Sequence, residues 1–161
     1  MVRLLRHLFI PDWVAMRAFP RASLERIERA IKDSERQHRG ELRFALDADL
    51  TPAQLRLTPR ERAMQVFAQL GVWDTEENSG VLIYVQLIDH QIEIVADRGI
   101  ARRVQQAEWD AICRAMEEDF RQGAFERGAI KAIESVTALL ARHFPPGAAN
   151  PNELPDKPAV I

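Results

Sequence analysis

Two runs of β-forming residues meet across a short polar turn in the middle of this chain. The first is Val81-Leu-Ile-Tyr-Val-Gln-Leu-Ile88, the turn is Asp89-His90-Gln91, and the second is Ile92-Glu-Ile-Val-Ala, closed by Asp97-Arg98-Gly99. Such a pattern predicts a β-hairpin. Its first strand is apolar on both faces, so both faces of the sheet need cover. A chain with that requirement is restricted to layered folds in which helices pack on either side of a sheet.

The flanking sequence supplies the layers. A helix from about Ala22 to Gln37 carries an apolar stripe of Leu24, Ile27 and Ile31, with Glu25, Arg26, Glu28 and Arg29 toward water. Glu41 to Asp47 alternates apolar and polar residues and reads as a half-buried strand. Thr58-Pro59-Arg60-Glu61 is a helix start, with a capping hydroxyl, proline in the first turn and a glutamate to complete a capping box. That helix offers Ala63, Val66, Phe67 and Leu70 and stops at Gly71. Strand, helix and the strand at Val81 form one crossover, which leaves its two strands parallel. Two further helices follow. The first spans about Ala107–Gln122 with Trp109, Ile112, Cys113, Met116 and Phe120 inward, and the second about Phe125–Phe144 with Ile130, Ile133, Val136 (or Thr137) and Leu140 inward. Gly128 predicts a close approach between them. The expected fold is an α/β three-layer α/β/α sandwich with a small mixed sheet, in the order α-β-α-β-β-α-α. Residues 1–20 form an N-terminal arm, 21–144 the domain, and 145–161 a proline-rich tail expected to stay flexible.

Composition sets limits on function. Hydrophobic residues make up 47% of 161 positions and charged residues 29%, the balance of one globular domain. A net charge of −2 argues against a general nucleic-acid binder. The single cysteine, Cys113, excludes an internal disulfide and a multi-cysteine zinc site. Arg3 and Arg6 precede an apolar patch, but Pro11 and Asp12 interrupt it and no small-residue cleavage site follows. With no apolar run long enough to span a bilayer, the expected location is the cytoplasm. Residues 2–19, with Arg3, Arg6, Trp13 and Arg17, read either as an arm folded onto the domain or as a weak membrane-surface contact.

Topology gathers the candidate chemistry at one end of the sheet. Parallel first and second strands place Glu41 beside the loop Asp74–Ser79, and the returning third strand delivers Asp97 and Arg98 to the same end. Asp74, Glu76, Glu77 and Asn78 offer hard oxygen donors suited to calcium or magnesium. Arg98, Arg102 and Arg103, beside a helix N-terminus, suit a phosphate or other anion. The plainer reading of the same residues is a solvated acidic rim and surface ion pairs. His7, His38, His90 and His143 are scattered, and Ser23, Ser34, Ser79 and Ser135 sit in no nucleophile motif. Cys113 falls on an apolar helix face, and Trp73 and Trp109 read as core.

Three motifs, in order and spacing, resemble the TPM domain family, the fold shared by a thylakoid-lumen phosphatase, a photosystem II repair protein and a receptor modulator. They are Asn78-Ser79-Gly80 leading into Val81-Leu82-Ile83, then Gly99-Ile100 closing the second strand of the hairpin, then Phe120-Arg-Gln-Gly-Ala-Phe-Glu-Arg-Gly128 opening an aliphatic helix. The similarity spans about Ala22 to Phe144 and looks most like the short soluble bacterial branch. It implies an α/β/α sandwich, calcium binding at an acidic cleft, and the acid-phosphatase activity of plant members. The chain departs from the pattern twice. The usual aspartate-asparagine-glycine is Asn78-Ser79-Gly80, and the glutamate that often follows the glycine-aliphatic pair is Ala101.

Two functional expectations result. One is a non-catalytic domain that binds a protein partner or a membrane-associated assembly, with a divalent cation (Ca2+ or Mg2+) at Asp74, Glu77, Asn78 and Asp97. The other is a metal-dependent hydrolase of phosphate monoesters, in which the metal polarises a phosphoryl oxygen and Arg98, Arg102 or Arg103 clamps the phosphate. The lack of a recognisable nucleophile–base pair favours the first.

Overall fold

A computed structural model describes residues 11–147 and 150–161. The main helices are α1 (Arg21–Ser34), α2 (Pro59–Gln69), α3 (Gln106–Arg121) and α4 (Phe125–His143). The strands are β1 (Glu41–Asp47), β2 (Gly80–Gln86), β3 (Gln91–Ala96) and β4 (Ala159–Val160). Short helical turns occupy Asp12–Ala15 and Arg98–Ala101. Residues 1–10 of the expected arm lie outside the described residues.

The sheet runs β3-β2-β1-β4. β1 and β2 are parallel, in register from Glu41↔Gly80 to Asp47↔Gln86, and β2 and β3 form the expected antiparallel hairpin. Val81, Ile83 and Val85 of β2 face α1, α3 and α4, where they join Leu42, Phe44, Ile27, Trp109, Phe120 and Ile133. Leu82 and Tyr84 face the other way, onto Ala63 and Val66 of α2 and onto Leu154. Two apolar faces on one strand thus recruit two helical layers, and the three-layer sandwich is present.

Local signals act as anticipated. The Thr58 Oγ1 accepts from Glu61 N at 3.2 Å, and a Glu61 carboxylate oxygen accepts from Thr58 N at 2.8 Å. At Gly128 a β-carbon would stand 3.0 Å from Asp119 Cβ and 3.1 Å from the Phe120 ring, which is how α3 and α4 come so close.

Three expectations fail. β1 is buried along its whole length rather than on one face. The second face is covered because the tail does not hang free: β4 pairs parallel with β1 at Ala45 and Leu46, and Leu154 is buried. Arg43 donates to the carbonyls of Pro155 and Lys157, and Asn150 Nδ2 donates to the carbonyls of Glu35 and His38 at 2.9 and 3.0 Å. Prolines in this segment leave few backbone donors, so side chains on both sides, Arg43 of the body and Asn150 of the tail, supply these hydrogen bonds. Trp73, expected in the core, is 56% exposed, whereas Trp109 is core.

Candidate functional site at the acidic end of the sheet

β1 and β2 both begin at this end and β3 finishes there, so Glu41, the Asp74–Ser79 loop and Asp97 are neighbours as topology required. Asp97 is the best-placed of the candidates. Its backbone N–H donates to Gly80 O at 2.8 Å, and its Oδ1 accepts from Arg98 N at 2.6 Å, capping the helical turn Arg98–Ala101. The residue is 7% exposed, and its second oxygen, Oδ2, is buried with no hydrogen-bond partner. A buried carboxylate oxygen left without a donor is costly and calls for an explanation.

The loop closes on Asp97 through glycine. Gly99 N donates to Asn78 O at 3.0 Å, and a β-carbon on Gly99 would stand 2.6 Å from the carbonyl oxygens of both Glu77 and Asn78. Asn78 itself has φ +52°, a left-handed conformation that asparagine tolerates better than most residues. Its Oδ1 accepts from Arg98 Nη2 at 3.2 Å. Ser79 is fully buried and its N–H donates to Thr75 Oγ1 at 2.9 Å. Gly99→Ala is therefore expected to destabilise the domain by about 1–3 kcal/mol through this clash, measured by urea unfolding.

The remaining predicted ligands are dispersed. Glu77 pairs with Arg39, Oε1 to Nη1 at 2.8 Å, and Asp74 is exposed. Among the described residues no three His, Cys, Asp or Glu side chains converge as a metal cage. What remains is the unpartnered Asp97 Oδ2, while the carbonyls of Glu77 and Asn78 crowd Gly99, two positions further along the chain.

The anion candidates separate as well. Arg98 has an 80% exposed side chain, and Arg102 is exposed. Arg103 donates to His143 O at 2.8 Å, with its guanidinium 4.7 Å from the Phe144 ring centroid. At the start of α3, Gln105 and Glu108 form a capping box. The Glu108 carboxylate accepts from Gln105 N at 3.1 Å, which puts an acid where an anion was expected.

A second acidic group, absent from the sequence reading, lies beside the first. Glu35, Glu41 and Asp156 line a cavity of about 350 Å3 together with Lys32, Asn150 and Asn152. Glu35 Oε1 accepts from Leu42 N at 3.0 Å, and Glu41 Oε2 accepts from Leu154 N at 3.0 Å. Burial, opposed by the Leu42 amide and reinforced by Glu41 and Asp156, pushes the Glu35 carboxyl up to about 9. Glu153 links the two groups, taking Glu76 N–H at 2.9 Å. Asparagines and acids between the tail prolines were the available signal, but nothing local says that they fold back onto Glu35.

The Ser23 and Ser34 hydroxyls are committed to neighbouring side chains. Ser23 Oγ donates to Glu126, and Ser34 Oγ lies between His38 Nε2 (2.8 Å) and Thr137 Oγ1 (2.6 Å) in a buried chain. Burial lowers His38 to about 4 and pushes the Cys113 thiol up to about 12, so neither imidazolium nor thiolate forms near neutrality.

Comparison with known proteins bears on this end of the molecule. The model of the TPM domain matches residues 16–139. The chain belongs to the TPM domain family. Among solved structures, the NMR structure of the BA42 protein from the psychrophilic bacterium Bizionia argentinensis superposes with a TM-score of 0.78 at 32% identity, covering 88% of this chain and 94% of that one. No curated protein matches. Within the TPM pattern, the departure at Asn78 now has a structural correlate, because an amide rather than a carboxylate meets Arg98. Ala101, the other departure, is exposed at the end of its helical turn.

Proposed function

We propose that this TPM domain is a non-catalytic binding module that presents its acidic end to a protein partner and holds a divalent cation there. The observation that carries the reading is the buried, unpartnered Oδ2 of Asp97. A calcium or magnesium ion would give that oxygen the partner it lacks, with the loop carbonyls of Glu77 and Asn78 as further oxygen donors. Trp73, exposed beside Asp74, Glu76 and Glu77, supports the partner: a solvent-facing tryptophan ringed by polar groups has the composition of an interface anchor.

Titration with calcium, magnesium and manganese against a chelator control tests the cation. A saturating ion at a hundred times its Kd stabilises the native state by about 2.7 kcal/mol, read as a rise in Tm. Asp97→Asn keeps the helix cap and is expected to abolish that rise while changing stability without ion by less than about 1 kcal/mol. An unaltered rise in Asp97→Asn would move the cation elsewhere. For the partner, Trp73→Ser is expected to eliminate capture of whatever the wild-type domain retains.

The metal-dependent phosphatase reading rests on one feature, the exposed Arg98 guanidinium next to Asp97, which would place a phosphate-binding cation next to a bound metal. Phosphate-monoester turnover that disappears with chelator and with Asp97→Asn would establish it over the binding module.

A further inference from the structure

We propose that residues 150–161 are a releasable strap, and that the groove beneath them on β1 docks an extended, proline-containing segment of a protein partner. The strap itself displays what the groove takes, because most of the hydrogen bonds that hold it involve main chain. Arg43 donates to the carbonyls of Pro155 and Lys157, and Glu41 Oε2 accepts from Leu154 N at 3.0 Å. Ile161 N donates to Leu46 O at 2.9 Å, and Ala48 N to Ile161 O at 3.1 Å. Pro151, Pro155 and Pro158 have no N–H to offer, so a guanidinium reads the carbonyls between them. The strap then finishes as a short parallel strand beside Ala45 and Leu46. Strand addition at a sheet edge, with a pocket for one side chain (here that of Leu154), is a general mode of peptide recognition.

Two features make the strap releasable. Its own side chains bury little: Leu154 and Pro158 are buried, whereas Asn152, Glu153, Pro155, Lys157 and Val160 are exposed. The face that it would vacate is also suited to water. Along β1, Glu41 and Arg43 alternate with Leu42 and Phe44, which belong to the main core on the opposite face. Covering that polar face confines charge. Arg43 is 6% exposed and its Nε has no hydrogen-bond partner. Burial lowers the pKa of its guanidinium and raises that of the Glu41 carboxyl. Apolar residues would hold a permanent cover at least as well. Charged groups devoted to main-chain hydrogen bonds suit a cover that is exchanged. Release also opens the cavity of about 350 Å3, where Asn150, Asn152 and Asp156 of the strap face Lys32, Glu35 and Glu41.

The test uses the full chain and a fluorescein-labelled synthetic peptide of residues 150–161, which stands in for the partner segment, followed by fluorescence anisotropy. Leu154→Asp is expected to free the strap and let the peptide bind. The wild-type strap competes at an effective concentration on the order of millimolar, so the wild-type chain is expected to bind at least roughly tenfold more weakly. Adding Arg43→Met to Leu154→Asp removes the carbonyl donors and is expected to abolish binding while a cooperative melt persists. In the wild-type chain, the Leu154 and Ile161 amides are expected to exchange hydrogen at least roughly tenfold faster than those of β2. Strap amides as protected as those of β2, a Leu154→Asp chain without a cooperative melt, or a folded one that ignores the peptide would each overturn the proposal. So would a wild-type chain that sediments as a dimer and becomes monomeric in Leu154→Asp, which would give the groove to the strap of a second copy.

Discussion

Asp47→Ala is expected to destabilise the domain by about 3–5 kcal/mol, because it strands a buried charge. Asp47 Oδ2 accepts from Arg62 Nε at 2.8 Å and from the Tyr84 hydroxyl at 2.9 Å. All three groups are buried between β1, β2 and α2. Removing the carboxylate leaves the Arg62 guanidinium without its counter-charge in a dry layer and the tyrosine hydroxyl without an acceptor. The penalty comes from the stranded partner, so a combined replacement by apolar residues, Asp47→Leu with Arg62→Met and Tyr84→Phe, is expected to recover most of the loss. Urea unfolding of the single and triple variants measures both. A single variant within about 1 kcal/mol of wild type would mean that water enters this layer and solvates Arg62.

Glu35→Gln is expected to stabilise the domain, by an amount that depends on pH. The folded-state carboxyl titrates near 9 against an ordinary 4.5. Between those values the folded chain retains a proton that the unfolded chain has released, so Glu35 makes stability fall as pH rises through that window. Glutamine resembles the protonated form: its oxygen can accept from Leu42 N and its amide can donate to Asp156. The gain over wild type is expected to be near zero below pH 4.5 and to grow to about 1–3 kcal/mol toward pH 9, allowing for solvent in the adjoining cavity. His38 has the opposite sign. Its pKa is lowered from 6.5 to about 4, so its contribution is lost as pH falls through that interval. Between 4.5 and 6.5 the two groups oppose each other in wild type, and Glu35→Gln exposes the His38 slope alone. Thermal melts of both proteins from pH 4 to 9 decide the matter. A pH-independent offset would show that Glu35 is ionised in the fold.

Local order was legible wherever the signal is local. The alternation and branching of Val81–Ile94 defined the hairpin, Thr58 to Glu61 defined the start of α2, and Gly71 and Gly123, both at positive φ, marked helix ends. From strand order alone, Asp97 and the Asp74–Ser79 loop could be placed together. Which of those side chains face each other could not be read. Glu77 turns to Arg39, Arg103 to a carbonyl of α4's last turn, and only Asp97 is buried with an oxygen unpaired.

Hydrophobic period and capping chemistry, which act over three or four residues, are written into the chain, and with the crossover rule they suffice for the layers and the end of the sheet where polar groups gather. The contacts of residues 150–161 are of another kind. Asn150, Glu153, Leu154 and Asp156 meet Glu35, Glu76, Glu41 and the second face of β1 across a hundred or so positions of sequence, or about eighty for Glu76. A proline-rich stretch with little apolar content carries no period that announces such pairing. Its place is determined by what the folded body leaves unsatisfied: an open β1 edge, the Arg43 guanidinium and a pair of buried glutamates. Those needs exist only once the sheet has formed, which is why the tail, and the acidic cavity that it completes, belong to the tertiary structure alone.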